Sequence, residues 1–370
     1  MKPAPATGRH GAREAYIDAF RGLMALVMVQ GHVFESLVTA AARDDSLYRL
    51  QMVFHGSTAP GFLFASGFVA GLPRAPLSLR ASLRRARRLL FVLGVGYALH
   101  LPYFSLHKTL QASSAEKAAL FACDALQAIA VTQLFVLALQ WAFGRRWTVA
   151  AAGVAVLVLA ATPWVWAAEW PSRLPAWLTA YLDVRSGSLF PLFPFSAFVL
   201  AGTVAGATLG RQERRVRRRR GLLGGLGLVA AGGLLSWALA GRVDFWGPSP
   251  GYALLRLGGL VLLLLGMEAA AERERPGIAA MAVLGRETLQ VFVLHLFLLY
   301  GGVLAPGLLR SWAGRLGFLQ AAAVLLAMIP VLFVTAWLWH RAKARAPHAS
   351  QLVLVFLGVW FVYEFVTRPW

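Results

Sequence analysis

The apolar stretch from Tyr16 to about Ala41 carries ionisable side chains whose spacing could support chemistry. Because an α-helix turns 100° per residue, four of these side chains fall on one stripe about 100° wide. They are Asp18, Arg21, His32 and Glu35. Ionisable groups at membrane depth cost at least about 2.5–3.5 kcal/mol each near the bilayer centre. A membrane helix that keeps four of them on one face is therefore expected to line a wet or reactive space.

Two pairs on this stripe predict different roles. His32 and Glu35 lie about one turn apart, which is the arrangement of a general base with an orienting carboxylate. The alternative is a buried histidine with a purely structural role. Asp18 and Arg21 could form an ion pair that only fixes the helix against its neighbours, or they could face a cofactor. Arg21 and His32 are about 16 Å apart along the helix axis.

Other apolar stretches contain further candidate residues. His55 is expected near the outer surface, at the level of His32, where it could equally be an exposed interfacial histidine. Asp124 and Gln127 lie about one turn apart in a later span, so Asp124 must be protonated, paired or in a wet cavity. Arg286 is expected near the inner face, and His295 further along the same span.

The composition indicates an integral membrane protein. The chain has 370 residues, of which 58% are hydrophobic and 14% charged, with a mean hydropathy of +0.63. Soluble proteins average about 45–50% apolar and about 25% charged residues. The net charge of +20 follows from basic loops on the cytoplasmic side of a membrane, so no nucleic-acid partner is expected.

Hydropathy and charge together predict an all-α polytopic protein of about eleven transmembrane helices. The predicted spans are 16–41, 51–73, 89–106, 119–143, 148–168, 188–209, 221–240, 252–271, 284–306, 317–339 and 351–367. The strongly basic loops all fall on one side of this alternation, which predicts a cytoplasmic N-terminus and an outer C-terminus. Residues 1–15 are expected to be a cytoplasmic basic tail, and residues 16–370 a single transmembrane domain.

Several classes of site are disfavoured by the sequence. The single cysteine, Cys123, excludes an internal disulfide framework and a Cys-rich metal site. No HxxxH or HExxH motif occurs within a helix, so no metal is expected. The chain lacks a Walker-type GxxxxGK[ST] and a GxSxG motif, which argues against an ATPase and a hydrolase of the elbow type.

Five motifs resemble the membrane acyltransferase superfamily, in family order from about residue 16 to 300. The first helix of that superfamily resembles IDAFRGLMALVMVQGHVF, in which an Arg-Gly pair is followed eleven residues on by a histidine. Its second helix resembles HGSTAPGFLFASGFVAG. The remaining three motifs are DALQAIA, FPLFPFSAFVLAG and LGRETLQVFVLH. Within the superfamily, the bacterial branch like heparan-α-glucosaminide N-acetyltransferase is the most similar.

The resemblance implies acyl transfer from cytoplasmic acyl-CoA, with acetyl-CoA the expected donor, to a glycan or glycolipid at the outer side of a bacterial plasma membrane. It places the essential histidine at His32, whose ring Glu35 is expected to orient because of the spacing given above. His55 is the alternative, because the lysosomal relative has its histidine just before the second helix.

The remaining candidates are divided between the two substrates. The residues expected to contact the donor are Asp18, Arg21 and Arg286. The residues expected to bind the acceptor are Asp124, Gln127 and His295. The partners are thus the lipid bilayer, acyl-CoA and the acceptor, while the oligomeric state, including a homodimer, is left open.

Two other functions are compatible with a polar stripe in a membrane helix. A secondary transporter of a sugar, lipid or anion could use the stripe as its path, although no repeated half with matching interrupted helices is visible. A receptor or scaffold without chemistry would leave four ionisable residues on one helical face unexplained.

Overall fold

The structure is a computed structural model that describes residues 8–73, 78–170, 173–302 and 306–368. Every regular element in these ranges is a helix, and no strand longer than an isolated bridge occurs there. Residues 1–7 of the expected basic tail lie outside the described residues, and the first helix begins at Gly8. Residues 74–77 of an expected basic loop and residues 369–370 of the expected outer terminus also lie outside them.

The described α-helices are numbered in chain order. They are α1 (Gly8–Leu37), α2 (Ser46–His55), α3 (Thr58–Gly71), α4 (Leu79–Ala98), α5 (Leu106–Gln111), α6 (Ser114–Ala119), α7 (Ala125–Phe143), α8 (Trp147–Ala167), α9 (Ala176–Thr179), α10 (Leu192–Leu209), α11 (Arg214–Ala238), α12 (Pro250–Glu272), α13 (Ile278–Arg286), α14 (Thr288–Tyr300), α15 (Leu309–Trp312), α16 (Phe318–Arg345) and α17 (Pro347–Thr367).

The chain forms two compact units that alternate along the sequence. The first unit comprises the residues up to Thr58, Tyr103–Leu106 and the residues from Gly266 onward. The second unit comprises Ala59–Pro102 and His107–Leu265. The single domain predicted over residues 16–370 stays a prediction.

The described residues contain seven stretches that are long and apolar enough to cross a membrane, or eight if α13 and α14 form one bent span. One of the seven, Ala125–Ala167, has 43 residues and contains both α7 and α8. Its helical length of roughly 65 Å is about twice the hydrocarbon thickness of a bilayer. The helical, integral membrane class is confirmed, whereas the count of eleven spans and the orientation of the termini stay predictions.

In the first unit, α1 packs directly against α13 through small residues. A Cβ atom on Gly22 would lie 1.9 Å from the carbonyl oxygen of Met281, and one on Gly285 would lie 1.7 Å from that of Asp18. Any larger side chain would therefore force the two helices apart. Glycine at such contacts lets two backbones approach closely, as is common between membrane helices. This contact places the end of α13, and with it Arg286, beside the polar stripe of α1.

Several of the spans predicted as continuous contain a break in the helix, among them 51–73, 89–106 and 284–306. The predicted span 51–73 consists of α2, which ends at His55, and α3, which begins at Thr58. Pro60 accounts for this break, since its ring would clash with a helical carbonyl four residues earlier, at Gly56. The predicted span 284–306 begins in the last three residues of α13 and contains α14, and these two helices meet at an angle of 83°.

The small residues of α3 serve helix packing within the second unit. A Cβ atom on Gly67 would lie 2.0 Å from the carbonyl oxygen of Val199 in α10, and one on Gly202 would lie 2.1 Å from that of Phe64. At these positions the neighbour is another backbone.

Candidate functional site

Three histidines from different parts of the chain meet near the C-terminal end of α1, and we call them the histidine cluster. They are His32 in α1, His55 at the end of α2 and His295 in α14. The His32 and His295 rings lie edge to edge and nearly parallel, with a centroid distance of 5.0 Å and an interplanar angle of 18°. The His55 ring meets the His32 ring edge-on at 5.5 Å. All three belong to the first unit.

A hydrogen bond connects two of these histidines. Nδ1 of His32 and Nε2 of His295 are 2.8 Å apart. The other ring nitrogen of His295, Nδ1, donates to the carbonyl oxygen of Val291 at 3.1 Å. The His295 side chain is completely buried. Both of its nitrogens therefore have partners inside the protein, and the acceptor contact expected for His295 from the sequence stays a prediction.

Glu35 does not take the place expected for it beside the His32 ring. Its carboxylate lies 4.0 Å from Nε2 of His55, and its side chain is 53% exposed. A carboxylate one turn along the helix can point to either side of its neighbour, and here the ring partner of His32 is His295 instead. Glu35 could still influence His55 electrostatically from the rim of the cluster.

His55 is seated against the backbone of α1 because residue 31 is glycine. A Cβ atom on Gly31 would lie 1.7 Å from Nδ1 of the His55 ring and 2.1 Å from its Cγ. Such an overlap cannot be tolerated without moving the ring. The glycine directly before His32 in the sequence therefore makes room for the second histidine of the cluster.

The C-terminal end of α1 is held by backbone and side-chain contacts. The N–H groups of Gly314 and Leu316 donate to the carbonyls of Ser36 and Leu37. Arg43 donates to the carbonyl of Glu35 at 2.6 Å. These donors satisfy the last carbonyls of the helix, which would otherwise lack partners. These hydrogen bonds therefore hold in place the end of α1 that carries the histidine cluster.

A second group of polar residues, which we call the charged cluster, lies towards the N-terminal end of the stripe on α1. Asp18 pairs with Arg21 at 3.5 Å, as the i,i+3 spacing predicts, and with Arg286 at 3.1 Å. Arg21 also donates to the hydroxyl of Thr288 at 2.6 Å. The three donor-side residues expected from the sequence are thus brought together.

The charged cluster continues through the bend between α13 and α14. Glu287 is 5% exposed and lies at the bend. Its carboxylate accepts from Lys343 at 2.6 Å and from Nδ1 of His340 at 3.1 Å. Both partners lie in the last turns of α16, just after the predicted span 317–339. The alternation of the predicted spans places this segment on the inner side together with Arg286, and that was the only sequence signal for this contact.

The two clusters are joined by one helix. Arg21 and His32 are eleven residues apart on α1, which is about 16 Å along the axis. The hydroxyls of Ser36 and Tyr300, 2.9 Å apart, lie at the histidine end. The Tyr300 ring is 6.4 Å from that of His32. Sequence reasoning had not selected these two hydroxyls, since nothing local links residues 264 positions apart.

Asp124 and Gln127 belong to the second unit. Asp124 accepts a hydrogen bond from Nε2 of His100 at 2.9 Å, so it is paired, which is one of the states expected for it. Gln127 is fully buried, and neither atom of its amide has a hydrogen-bond partner among the described residues. A buried amide without partners costs roughly 1–3 kcal/mol. The two amide atoms of Gln127 are thus available to form hydrogen bonds with a bound polar group.

Among the described residues, no group of three or more His, Cys, Asp and Glu side chains is arranged to hold a metal ion. The candidate site consists of the histidine cluster and the charged cluster, to both of which α1 contributes residues. Comparison with known proteins adds one finding. A family model described as an acyltransferase domain matches residues 14–340. No curated protein matches the chain.

Proposed function

The chain belongs to the acyltransferase family whose domain model covers residues 14–340, and on this premise we propose that it moves an acetyl group from acetyl-CoA to a hydroxyl or amine of a glycan or glycolipid. The proposed location is the bacterial inner membrane, with the donor on the cytoplasmic side and the acceptor on the outer side. The proposed branch is the one similar to heparan-α-glucosaminide N-acetyltransferase.

The observation that carries this proposal is that α1 contributes residues to both clusters, about 16 Å apart along its axis. A CoA thioester has anionic phosphates at one end and its reactive carbonyl at the end of a long, thin arm. The charged cluster offers Arg21, Arg286 and Lys343 against two carboxylates. Guanidinium groups suit phosphate because they present several N–H donors in a fixed geometry. The histidine cluster lies about 16 Å further along the helix.

In the proposed reaction, Nε2 of His32 accepts the proton of the acceptor hydroxyl or amine. The acceptor oxygen or nitrogen forms a bond to the acetyl carbonyl carbon, the C–S bond breaks, and CoA leaves as its thiolate. The proton held by His32 then passes to the thiolate. Transfer through an acetyl group carried transiently on His32 is the covalent variant, which would accumulate labelled protein when acceptor is withheld.

The proposal is tested with purified protein in liposomes and radiolabelled acetyl-CoA. The acceptors are dodecyl glycosides of glucose and of glucosamine, which present a hydroxyl and an amine at a membrane surface. We expect saturable binding of acetyl-CoA and a labelled glycoside. Absence of acetyl-CoA binding, together with uptake of a sugar, lipid or anion into the liposomes, would instead establish a transporter.

Replacing Gly31 with alanine tests whether the position of His55 matters for the reaction. The new Cβ atom must displace the His55 ring, whose Nδ1 it would meet at 1.7 Å. Misplacing a group at an active site by about 1 Å can cost roughly 10²-fold in rate. We therefore expect acetyl transfer to fall by up to about 10²-fold, measured as kcat with the glycoside acceptors.

The matched control is Gly153→Ala in α8, where a Cβ atom would meet nothing within 4 Å. An exchange of glycine for alanine inside a helix with free space stabilises by roughly 0.5–1 kcal/mol, so this variant should keep its activity and melt at the same temperature or slightly higher. If Gly31→Ala keeps full activity as well, the geometry of His55 is irrelevant and the chemistry rests on His32.

A further inference from the structure

The two ring nitrogens of His295 have different partners, and this difference determines where protons lie in the histidine cluster. Nδ1 faces the carbonyl oxygen of Val291 at 3.1 Å, and Nε2 faces Nδ1 of His32 at 2.8 Å. A carbonyl oxygen can only accept a hydrogen bond. Nδ1 of His295 must therefore carry a hydrogen.

His295 is expected to be neutral in the resting protein. Its side chain is completely buried, and no carboxylate in the described part of the chain lies within ion-pair distance of it. Burying an isolated charge without a partner is costly. A neutral imidazole carries one hydrogen only. With that hydrogen on Nδ1, Nε2 of His295 is an acceptor.

The direction of the next hydrogen bond follows from this assignment. Because Nε2 of His295 accepts, Nδ1 of His32 must donate, and the remaining nitrogen of neutral His32, Nε2, has no hydrogen. We infer that His295 is a positioning residue that holds His32 in the tautomer whose Nε2 lone pair is free to act as a base. Neutral histidine in water prefers the opposite tautomer, with its hydrogen on Nε2.

This inference rests on the proposed function, in which Nε2 of His32 accepts a proton. Once that proton arrives, the bond from Nδ1 of His32 to His295 becomes charge-assisted and therefore stronger. His295 thus stabilises the charged ring that forms during the reaction, a task more often given to a carboxylate. Because His295 is neutral, it stabilises the charged ring without a buried counter-ion. The Glu35 carboxylate lies beside His55 instead.

Ring packing supports a positioning role. The His32 and His295 rings are nearly parallel, at an interplanar angle of 18°, which suits an in-plane hydrogen bond between them, and Phe292 meets the His295 ring edge-on at 5.7 Å. Rotation of the His295 ring would break its hydrogen bond to the Val291 carbonyl and would disturb both ring contacts. The ring orientation of His32 is therefore set by α14, an element 263 residues away in the chain.

Two amide substitutions at position 295 separate the two hydrogen bonds. Glutamine reaches about as far as Nε2, so its carbonyl oxygen can accept from Nδ1 of His32. Asparagine is shorter and reaches only the position of Nδ1, where its NH₂ group can donate to the Val291 carbonyl. The variants are similar in polarity and both lose the ring, so a purely structural role for His295 would not favour His295→Gln.

We expect His295→Gln to retain most of kcat and His295→Asn to lose roughly 10²–10⁴-fold, the range attributed to a positioned base. KM for acetyl-CoA should be unchanged in both variants, since neither touches the donor. Equal losses of kcat in the two variants, or a greater loss in His295→Gln, would overturn the inference.

A spectroscopic measurement keeps this result separate from the proposed function. Nitrogen-15 NMR of membranes that contain labelled histidine reports which ring nitrogen carries hydrogen, and the His32 signals are identified by their loss in His32→Gln. We expect a protonated Nδ1 and a bare Nε2 on His32, and the opposite pattern in His295→Asn. If the tautomer is as expected and no acyl group is transferred, the proposed function fails alone. An Nε2–H tautomer in the unmodified protein overturns the inference whatever the activity.

Discussion

Replacing His32 with alanine is expected to lower kcat for acetyl transfer by roughly 10²–10⁴-fold, which is the contribution typical of general acid–base catalysis. The residual rate would come from binding and orientation of the two substrates. The measurement is the steady-state rate of labelled glycoside formation from acetyl-CoA by the purified protein. Binding of acetyl-CoA, measured separately by calorimetry, should be unchanged because the charged cluster is intact.

The matched control for this prediction is His348→Ala. His348 is exposed, near the start of α17, and its loss should leave the rate unchanged. His55→Ala tests the alternative that the sequence left open, in which His55 rather than His32 is the essential histidine. Full activity in His32→Ala, with activity abolished in His55→Ala, would move the role of the base to His55 and remove the core of the proposed mechanism.

Replacing Arg21 with glutamine is expected to raise KM for acetyl-CoA by roughly 10–150-fold. This range follows from hydrogen bonds to charged groups, which contribute about 1.5–3 kcal/mol each. Arg21 uses one guanidinium nitrogen for Thr288 and another for Asp18, and a guanidinium presents its N–H donors in a planar fork that suits phosphate. A contact made equally with bound donor and transition state changes KM more than kcat.

Arg310→Gln is the control for Arg21→Gln, since it removes the same charge from an exposed position in α15. It should leave KM for acetyl-CoA unchanged. Arg21→Lys keeps the charge but loses the planar fork, so an intermediate KM is expected. A fall in kcat at constant KM in Arg21→Gln would contradict donor binding and would indicate that Arg21 supports the helix contacts of the histidine cluster.

The sequence alone determined the features of α1 that depend on local geometry. The positions of Asp18, Arg21, His32 and Glu35 on one stripe follow from the helical repeat, and the i,i+3 pairing of Asp18 with Arg21 is observed at 3.5 Å. Composition determined the integral membrane class, because the apolar fraction is too high for a soluble protein. Motif order indicated the family that the domain comparison then identified.

The bend at Glu287 could not be read from the sequence. The apolar run continues on both sides of it without a proline to mark a break. Glu287 is buried at the bend because Lys343 and His340, 56 and 53 residues later, satisfy its carboxylate. Partners at such separations are specified only when the helices have packed, and hydropathy carries no information about them.

Tertiary structure also decided the partner of the central histidine. The spacing in the sequence predicted that Glu35, one turn away on the same helix, orients the His32 ring. Helical periodicity places two side chains on one face but leaves each free to turn towards different neighbours. The packing of α14 against α1 brings the buried His295 within hydrogen-bonding distance of His32, whereas Glu35 lies beside His55. The polar stripe was thus determined by local geometry, and its chemistry by contacts between helices distant in the chain.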